Sequence, residues 1–265
     1  MALVQCNFFS ETLKLCTTMN VILPQRTEAQ IGLQGNVTGA AHPTLFLLHG
    51  LSDDHSIWLR RTSIERYVAP LGLAVVMPAV HRSFYADMKH GGHYWTFISR
   101  EVPAVAREFF RLSDRREDTF VAGLSMGGFG AFKLALNCPE QFCAAASLSG
   151  AVRTRIADQF DPRNSDRLPE VQDAFGSVDE MRGTEDDLVH TARQLAASDR
   201  PRPKLYQCCG GDDFLLDHNH DFRDFIQPLG FDYTYEEDPG EAHEWGYWDT
   251  KIRRVLDWLP LKQKG

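Results

Sequence analysis

The segment Gly123-Leu124-Ser125-Met126-Gly127-Gly128 constrains the fold of this chain more than any other. An apolar run typical of a strand, 119–122, precedes it, and a run typical of a helix, 128–136, follows. A sharp strand-to-helix turn leaves no room for side chains two positions either side of its centre, and glycine at 123 and 127 meets that need. Such a turn lifts Ser125 clear of the backbone, where a base can take its proton. The sequence therefore predicts that Ser125 is a nucleophile; an ordinary glycine-rich turn is the alternative.

Short apolar runs alternate with longer amphipathic ones along most of the chain, which predicts βαβ units and a mostly parallel sheet with helices on both faces. Strands are predicted over 44–48, 73–77, 119–122, 143–148, 205–209 and 232–236. Helices are predicted over 57–68, 95–112, 128–136 and 245–259, with Pro103 as a possible irregularity. Residues 7–21 alternate in character and are predicted to lie antiparallel at a sheet edge.

We expect residues 1–265 to form one α/β domain with an insertion at about 152–203. This insertion is rich in Asp, Arg and Pro and contains a helical stretch over 188–196. A long insertion in a compact domain often forms a lid or a pocket wall. A solvated excursion with no role in binding is the alternative.

Candidate partners for Ser125 follow two later strands. The strand over 205–209 is followed by Asp212 and Asp213, and the strand over 232–236 by His243. The carboxyl ends of parallel strands meet at one edge of the sheet, where open α/β folds place their sites. The order serine, acid, histidine is that of one class of hydrolytic triad. His243 is thus the candidate base, with a solvated loop histidine as the alternative, while the acid is Asp212, Asp213 or, further along, Asp217.

Hydrolysis through a tetrahedral intermediate also needs donors for the oxyanion, usually two backbone N–H groups. Met126, directly after the nucleophile, is expected to supply one. The loop His49-Gly50-Leu51-Ser52 follows the first central strand, and we assign the second donor to Leu51 N–H.

Two histidine-rich segments raise the possibility of a metallohydrolase, the rival enzyme mechanism. His90-Gly91-Gly92-His93 and Asp217-His218-Asn219-His220-Asp221 both lack the spacing of a zinc site with two histidines on one helix face. We interpret them, and the run Asp53-Asp54-His55, as polar loop or helix-start residues. No metal and no cofactor are expected.

Aromatic residues near the candidate site could wall a substrate pocket or belong to the core. We expect Trp58, Trp95 and Trp245 to contact the substrate.

Composition limits the partners. A net charge of −8 disfavours nucleic acid and anionic membrane surfaces. The N-terminus lacks the plan of a secretory signal, and no apolar run approaches the ~20 residues that span a bilayer. The six cysteines form no CxxC pair, and most lie in apolar segments where a small buried thiol in a reducing cytoplasm is expected.

Several motifs together resemble the esterase D group of α/β-hydrolases, and within it the tributyrin esterases. They are Leu47-Leu48-His49-Gly50-Leu51-Ser52, Ser56-Ile57-Trp58-Leu59-Arg60-Arg61-Thr62, Ala122-Gly123-Leu124-Ser125-Met126-Gly127-Gly128, Cys209-Gly210-Gly211-Asp212-Asp213-Phe214-Leu215 and His243-Glu244-Trp245. The resemblance implies an α/β-hydrolase fold and a cytoplasmic, cofactor-free serine carboxylesterase for short-chain acyl and aryl esters, often a homo-oligomer. It places the triad at Ser125, Asp213 and His243, and the oxyanion amides at Leu51 and Met126.

Related activities are the alternatives. Many S-formylglutathione hydrolases carry a threonine-cysteine pair after the oxyanion loop, where this chain has Ser52-Asp53-Asp54. That departure argues against a glutathione thioester. Feruloyl esterases and mycolyltransferases are also similar in fold. A catalytically silent binding protein of the same fold is the non-enzymatic alternative.

Overall fold

A central sheet of eight strands organises the computed structural model, which describes residues 1–37, 39, 41–161 and 167–261. The strands are β1 Ala2–Ser10, β2 Leu15–Leu23, β3 Thr44–Leu48, β4 Ala74–Pro78, β5 Thr119–Leu124, β6 Ala144–Leu148, β7 Lys204–Gly210 and β8 Tyr233–Asp238. Their order is β1-β2-β4-β3-β5-β6-β7-β8. The strands from β4 to β8 in this order are parallel, whereas β2 is antiparallel to β4 and to β1. The predicted parallel sheet with an antiparallel edge is confirmed.

Ten α-helical segments lie in the described part of the chain. They are α1 Ile57–Arg61, α2 Ile64–Val68, α3 Tyr94–Thr96, α4 Val102–Phe109, α5 Met126–Asn137, α6 Leu168–Phe175, α7 Val178–Met181, α8 Leu188–Ala196, α9 Leu216–Ile226 and α10 Trp245–Trp258. Alternate strand residues face two apolar layers. Leu45 and Leu47 pack with α1, α2 and α10, while Phe46 and Leu48 pack with α4, α5, α8 and α9. The helices therefore cover both faces of the sheet, as predicted.

Two predicted helices differ from the structure. The expected helix over 57–68 is interrupted, because the backbone of Thr62 is extended. The hydroxyl of Thr62 donates to Trp58 O over 2.6 Å and accepts the N–H of Ile64 over 3.1 Å, which replaces helical bonding at this point.

The helix expected over 95–112 is also irregular and ends earlier, at Phe109. A π-helical turn, Phe97–Glu101, separates α3 from α4. Pro103 is the second residue of α4 and has no N–H to bond to the carbonyl four residues back, which favours such an irregularity.

The insertion at about 152–203 contains a 3₁₀ turn, Ile156–Phe160, followed by α6, α7 and α8. Helix α8 covers the stretch predicted from the sequence. The insertion is joined to α5 by an ion pair between Lys133, which is fully buried, and Asp186. Across the described ranges, none of the helices is long and apolar enough to cross a bilayer.

Candidate active site

Ser125 stands at the turn between β5 and α5 in a strained conformation, with φ 53° and ψ −117°. Its N–H donates to Leu148 O of the neighbouring strand over 2.9 Å, which fixes the turn against β6. The two predicted glycines are required by close packing. A Cβ on Gly123 would lie 2.4 Å from Gly127 O, and one on Gly127 would lie 2.6 Å from Leu48 O. Backbone strain of this kind is typical of functional sites, where the surrounding structure holds it in place.

His243 lies between Ser125 and Asp213. Its Nε2 is 3.1 Å from Ser125 Oγ, and its Nδ1 is 2.8 Å from Asp213 Oδ2 and 3.0 Å from Oδ1. The carboxylate accepts from Nδ1–H, so that Nε2 is free to accept the serine proton. The structure therefore brings together the three side chains that the sequence indicated as nucleophile, base and acid.

Asp213 is a buried carboxylate with several donors. Its side chain is fully buried, and Oδ1 accepts the N–H of Leu215 over 2.8 Å. Burial alone would raise the pKa of Asp213, but the hydrogen bond and charge of His243, with the bonds from Leu215 and Ser149, lower the pKa overall. Asp212, by contrast, is exposed, and its N–H donates to Glu241 O over 2.9 Å. Of the adjacent carboxylates, only Asp213 contacts His243.

The loop expected to hold the second oxyanion donor is fixed by His49 and Tyr85. The hydroxyl of Tyr85 donates to His49 O over 2.9 Å. His49 Nε2 accepts the N–H of Val80 over 3.1 Å, and its Nδ1–H donates to Gly50 O over 2.7 Å. Burial lowers the pKa of His49 to about 4, so its ring is neutral and can keep both roles.

Leu51 and Met126 both line the cavity onto which Ser125 opens. Within the described residues, neither backbone N–H is paired with a backbone acceptor. Met126 begins α5, where N–H groups have no partner within the helix. Both amides can therefore donate to an oxygen that develops charge beside Ser125.

A cavity of about 850 Å³ lies over Ser125 and His243. Trp245, one of three tryptophans expected to contact substrate, lines it together with Trp248 from the same helix. Phe214 packs on His243 with ring centroids 4.4 Å apart, and Trp248 meets His243 edge-on at 4.8 Å. Apolar walls therefore surround the imidazole.

The expectation for Trp58 and Trp95 is wrong, because neither is among the described residues that line the cavity. Trp58 is buried in the core, and its indole N–H donates to Leu48 O over 3.0 Å. It meets Trp245 edge-on with ring centroids 5.2 Å apart, so it packs against a residue that lines the cavity. The ring of Trp95 lies under Lys133 Nζ at 4.3 Å. A buried indole usually hydrogen-bonds through its N–H, and Trp58 finds its acceptor in the core, so it has no need of a place in the pocket.

The insertion contributes to the cavity wall through Arg153, Gln159, Arg167 and Val171. None of these four residues was predicted from the sequence, although the arginine content of the segment was a signal. The described residues contain no group of three or more His, Cys, Asp or Glu that could hold a metal ion.

Comparison with known proteins identifies the family. The sequence profile of the family described as "Putative esterase" matches residues 10–259. An acetyl esterase of Caldicellulosiruptor saccharolyticus is 33% identical over 263 residues, which cover 98% of each chain. The chain belongs to the putative esterase family. The family and the acetyl esterase relative support a catalytic esterase over the non-enzymatic alternative.

Two solved structures from Staphylococcus aureus resemble this esterase over nearly its whole length. The fluorophosphonate-binding serine hydrolase FphF is 36% identical, with a TM-score of 0.83 and 99% of both chains covered. The S-formylglutathione hydrolase FrmB is also 36% identical, with a TM-score of 0.81, covering 97% of this chain and 98% of that one. The fold is thus that of the α/β-hydrolases, and the protein is a serine carboxylic ester hydrolase.

Proposed function

We propose that this esterase hydrolyses short-chain acyl and aryl esters through a covalent acyl-enzyme on Ser125. One observation carries the proposal: hydrogen bonds run from Ser125 Oγ to His243 Nε2 over 3.1 Å and from His243 Nδ1 to buried Asp213 over 2.8 Å. A nucleophile next to a base, with the base oriented by a third group, is the arrangement that activates a serine hydroxyl.

In the first half-reaction, His243 Nε2 takes the Ser125 proton while Oγ attacks the ester carbonyl carbon. The carbonyl oxygen becomes an oxyanion and accepts the N–H groups of Leu51 and Met126. The bond from carbon to the leaving oxygen then breaks, and the alcohol or phenol departs with the proton held on Nε2. In the second half-reaction, water loses a proton to His243 and attacks the acyl carbon. Collapse releases the acid and returns the proton to Ser125.

Asp213 orients the imidazole and stabilises its charged form without itself becoming protonated. The several donors that lower its pKa keep it ionised throughout the cycle. The strained turn at Ser125 holds Oγ in place before substrate binds.

The variant Ser125→Ala tests the nucleophile. We expect a folded protein in which turnover of p-nitrophenyl butyrate falls by several orders of magnitude, on the order of 10⁶. A fluorophosphonate probe should add to the wild type once, at the peptide that contains Ser125, and should not add to the variant. The matched control is Ser147→Ala, which removes a buried hydroxyl that has no hydrogen-bond partner among the described residues and should keep labelling intact. Near-normal turnover by Ser125→Ala would falsify the assignment.

A thioesterase of the S-formylglutathione hydrolase type is the second candidate. The likeness to FrmB, 36% identical over 97% of this chain, favours it. Ser52-Asp53-Asp54, in place of the threonine-cysteine pair of many such enzymes, argues against it. The ratio of kcat/KM for S-formylglutathione to kcat/KM for p-nitrophenyl acetate decides between the candidates, and we expect the aryl ester to be preferred.

The resemblance also leads us to propose a homo-oligomer in the cytoplasm. Light scattering coupled to gel filtration tests the assembly, and a mass equal to one chain would contradict it.

A further inference from the structure

The wall of the cavity is rich in positive charge, although the whole chain carries a net charge of −8. Arg82, Arg153 and Arg167 line it, and the carboxylates that also line it are Asp53 and Glu244. Arg82 is already paired, with Nη2 2.5 Å from Glu170 Oε2. The other two arginines form no ion pair with any carboxylate among the described residues.

Arg153 follows β6 and lines the same cavity as the nucleophile Ser125. It comes two residues after Ala151, whose N–H donates to Ser125 O over 2.9 Å. One nitrogen of its guanidinium, Nη1, donates to Gln159 Oε1 over 2.7 Å. Its Nε is buried and has no partner among the described residues. A buried donor on a charged group is costly to leave unpaired, so this nitrogen favours an acceptor.

Two neighbours of Arg153, Arg167 and His218, also carry nitrogen groups, whereas Asp158 is a nearby carboxylate. Burial lowers the pKa of Arg153, as does the charge of Arg167, while Asp158 acts in the opposite direction. His218, which lines the same cavity, has its pKa lowered by burial and then by the charge of Arg153. The guanidinium of Arg167 lies 5.9 Å from the ring centre of Phe214, the residue that packs on His243. Two like charges that face one cavity beside the base repel each other until an anion lies between them.

We propose that Arg153, together with Arg167, binds a carboxylate on the substrate, so that the preferred ester or thioester carries a negative charge in its acyl or its leaving part. Gln159 holds the guanidinium of Arg153 in place. A guanidinium matches a carboxylate with two parallel N–H donors. In Arg153, Nε and Nη2 have no hydrogen-bond partner among the described residues, so both can take part. This proposal rests on the proposed function, since it concerns what the same cavity binds.

Matched pairs of substrates test the proposal. For the acyl side, monoethyl succinate is compared with ethyl isocaproate, which has two methyl groups in place of the carboxylate oxygens. For the leaving side, p-acetoxybenzoate is compared with p-acetoxybenzamide. In at least one pair, we expect the wild type to prefer the anionic member by about tenfold or more in kcat/KM. The pair that shows the preference tells which part of the substrate Arg153 faces.

The variant Arg153→Gln should lower the ratio of anionic to neutral kcat/KM by about tenfold or more, and Arg153→Lys should lower it less. The ratio cancels any loss that affects both substrates. The control is Arg155→Gln, which removes the same charge from an exposed residue that pairs with Asp158 over 3.1 Å. Because surface charges act weakly, the control should change the ratio by less than about twofold.

A ratio that Arg153→Gln leaves unchanged overturns the carboxylate site but not the esterase, whose test is wild-type turnover of neutral esters. If Arg153→Gln does not fold, inhibition of the wild type decides. At constant ionic strength, succinate should inhibit turnover of p-nitrophenyl butyrate competitively, and succinamide should not. Equal effects of the two compounds would overturn the proposal.

Discussion

The indole N–H of Trp248 donates to the hydroxyl oxygen of Ser149 over 3.1 Å, and Ser149 in turn hydrogen-bonds to Asp213. Ser149 is fully buried directly after β6, with a positive φ of 46°. The same indole meets His243 edge-on at 4.8 Å. One side chain of α10 therefore contacts the base and, through Ser149, also restrains the acid.

Removing the Ser149 hydroxyl should loosen Asp213 without touching the substrate. A hydrogen bond to a charged group contributes about 1.5 kcal/mol, which corresponds to roughly tenfold in rate. We expect Ser149→Ala to lower kcat about tenfold with little change in KM. Ser147→Ala is the matched control, because this buried hydroxyl on β6 has no hydrogen-bond partner within the described part of the chain. Equal kinetics for both variants would mean that Ser149 does not position the acid.

The choice between adjacent carboxylates is tested by Asp213→Asn and Asp212→Asn. The first variant would favour the wrong tautomer of His243, and we expect kcat to fall by roughly 10⁴. The second changes an exposed side chain, and we expect a loss of less than about tenfold. Saturating substrate and circular dichroism separate catalysis from folding. A crippled Asp212→Asn with an active Asp213→Asn would reverse the assignment.

The catalytic residues could be predicted from the sequence because they follow strand ends in a fixed order. The packing of individual side chains could not. Local apolar patterns show where β5, β7 and β8 end, and Ser125, Asp213 and His243 lie just after those ends. Trp58 and Trp95 look the same in sequence as Trp245, yet only Trp245 lines the cavity. Whether an indole faces the core or the cavity depends on how its helix, α1, α3 or α10, packs against the rest of the fold. Ser149 gave no local signal either, because its partners Asp213 and Trp248 lie far away in the chain.

Acid should weaken the fold through His49. Its pKa is about 4 in the folded protein and near 6.5 when unfolded, so between these values only the unfolded chain binds the proton. The stability from keeping the ring neutral is complete above the unfolded pKa and falls as pH drops toward the folded pKa. From about pH 7.5 to about pH 5, this residue should account for ~2 kcal/mol of lost unfolding free energy. Urea titrations of the wild type and His49→Gln should differ in slope against pH, and parallel slopes would contradict this account.

The ion pair between Lys133 and Asp186, which joins the insertion to α5, should contribute strongly to the free energy of unfolding. Lys133 Nζ also donates to Tyr85 O over 2.8 Å. Removing one partner leaves an uncompensated buried charge, so Lys133→Ala or Asp186→Ala should lower the free energy of unfolding by about 3–5 kcal/mol. Lys14 and Glu11 form an exposed pair at 3.0 Å, and Lys14→Ala is the control. We expect no measurable change from the control, and a similarly small effect of Lys133→Ala would show that the buried pair is not needed.

Acyl chain length should limit turnover. The cavity of about 850 Å³ must hold both parts of the ester, and the insertion, through Val171, and Trp245 form parts of its wall. Each methylene that finds apolar contact should contribute at most ~0.8 kcal/mol, so kcat/KM should change gradually from acetyl to butyryl. Beyond the length that fits, further methylenes meet the wall or remain in water, and the rate should fall. p-Nitrophenyl esters of rising chain length measure this profile, below the concentration at which the long esters form micelles.

Trp245→Ala should shift the fall in rate toward longer chains, because it opens the cavity wall. A profile that is flat or rises through chains of about ten carbons would show that the cavity does not close around the acyl group.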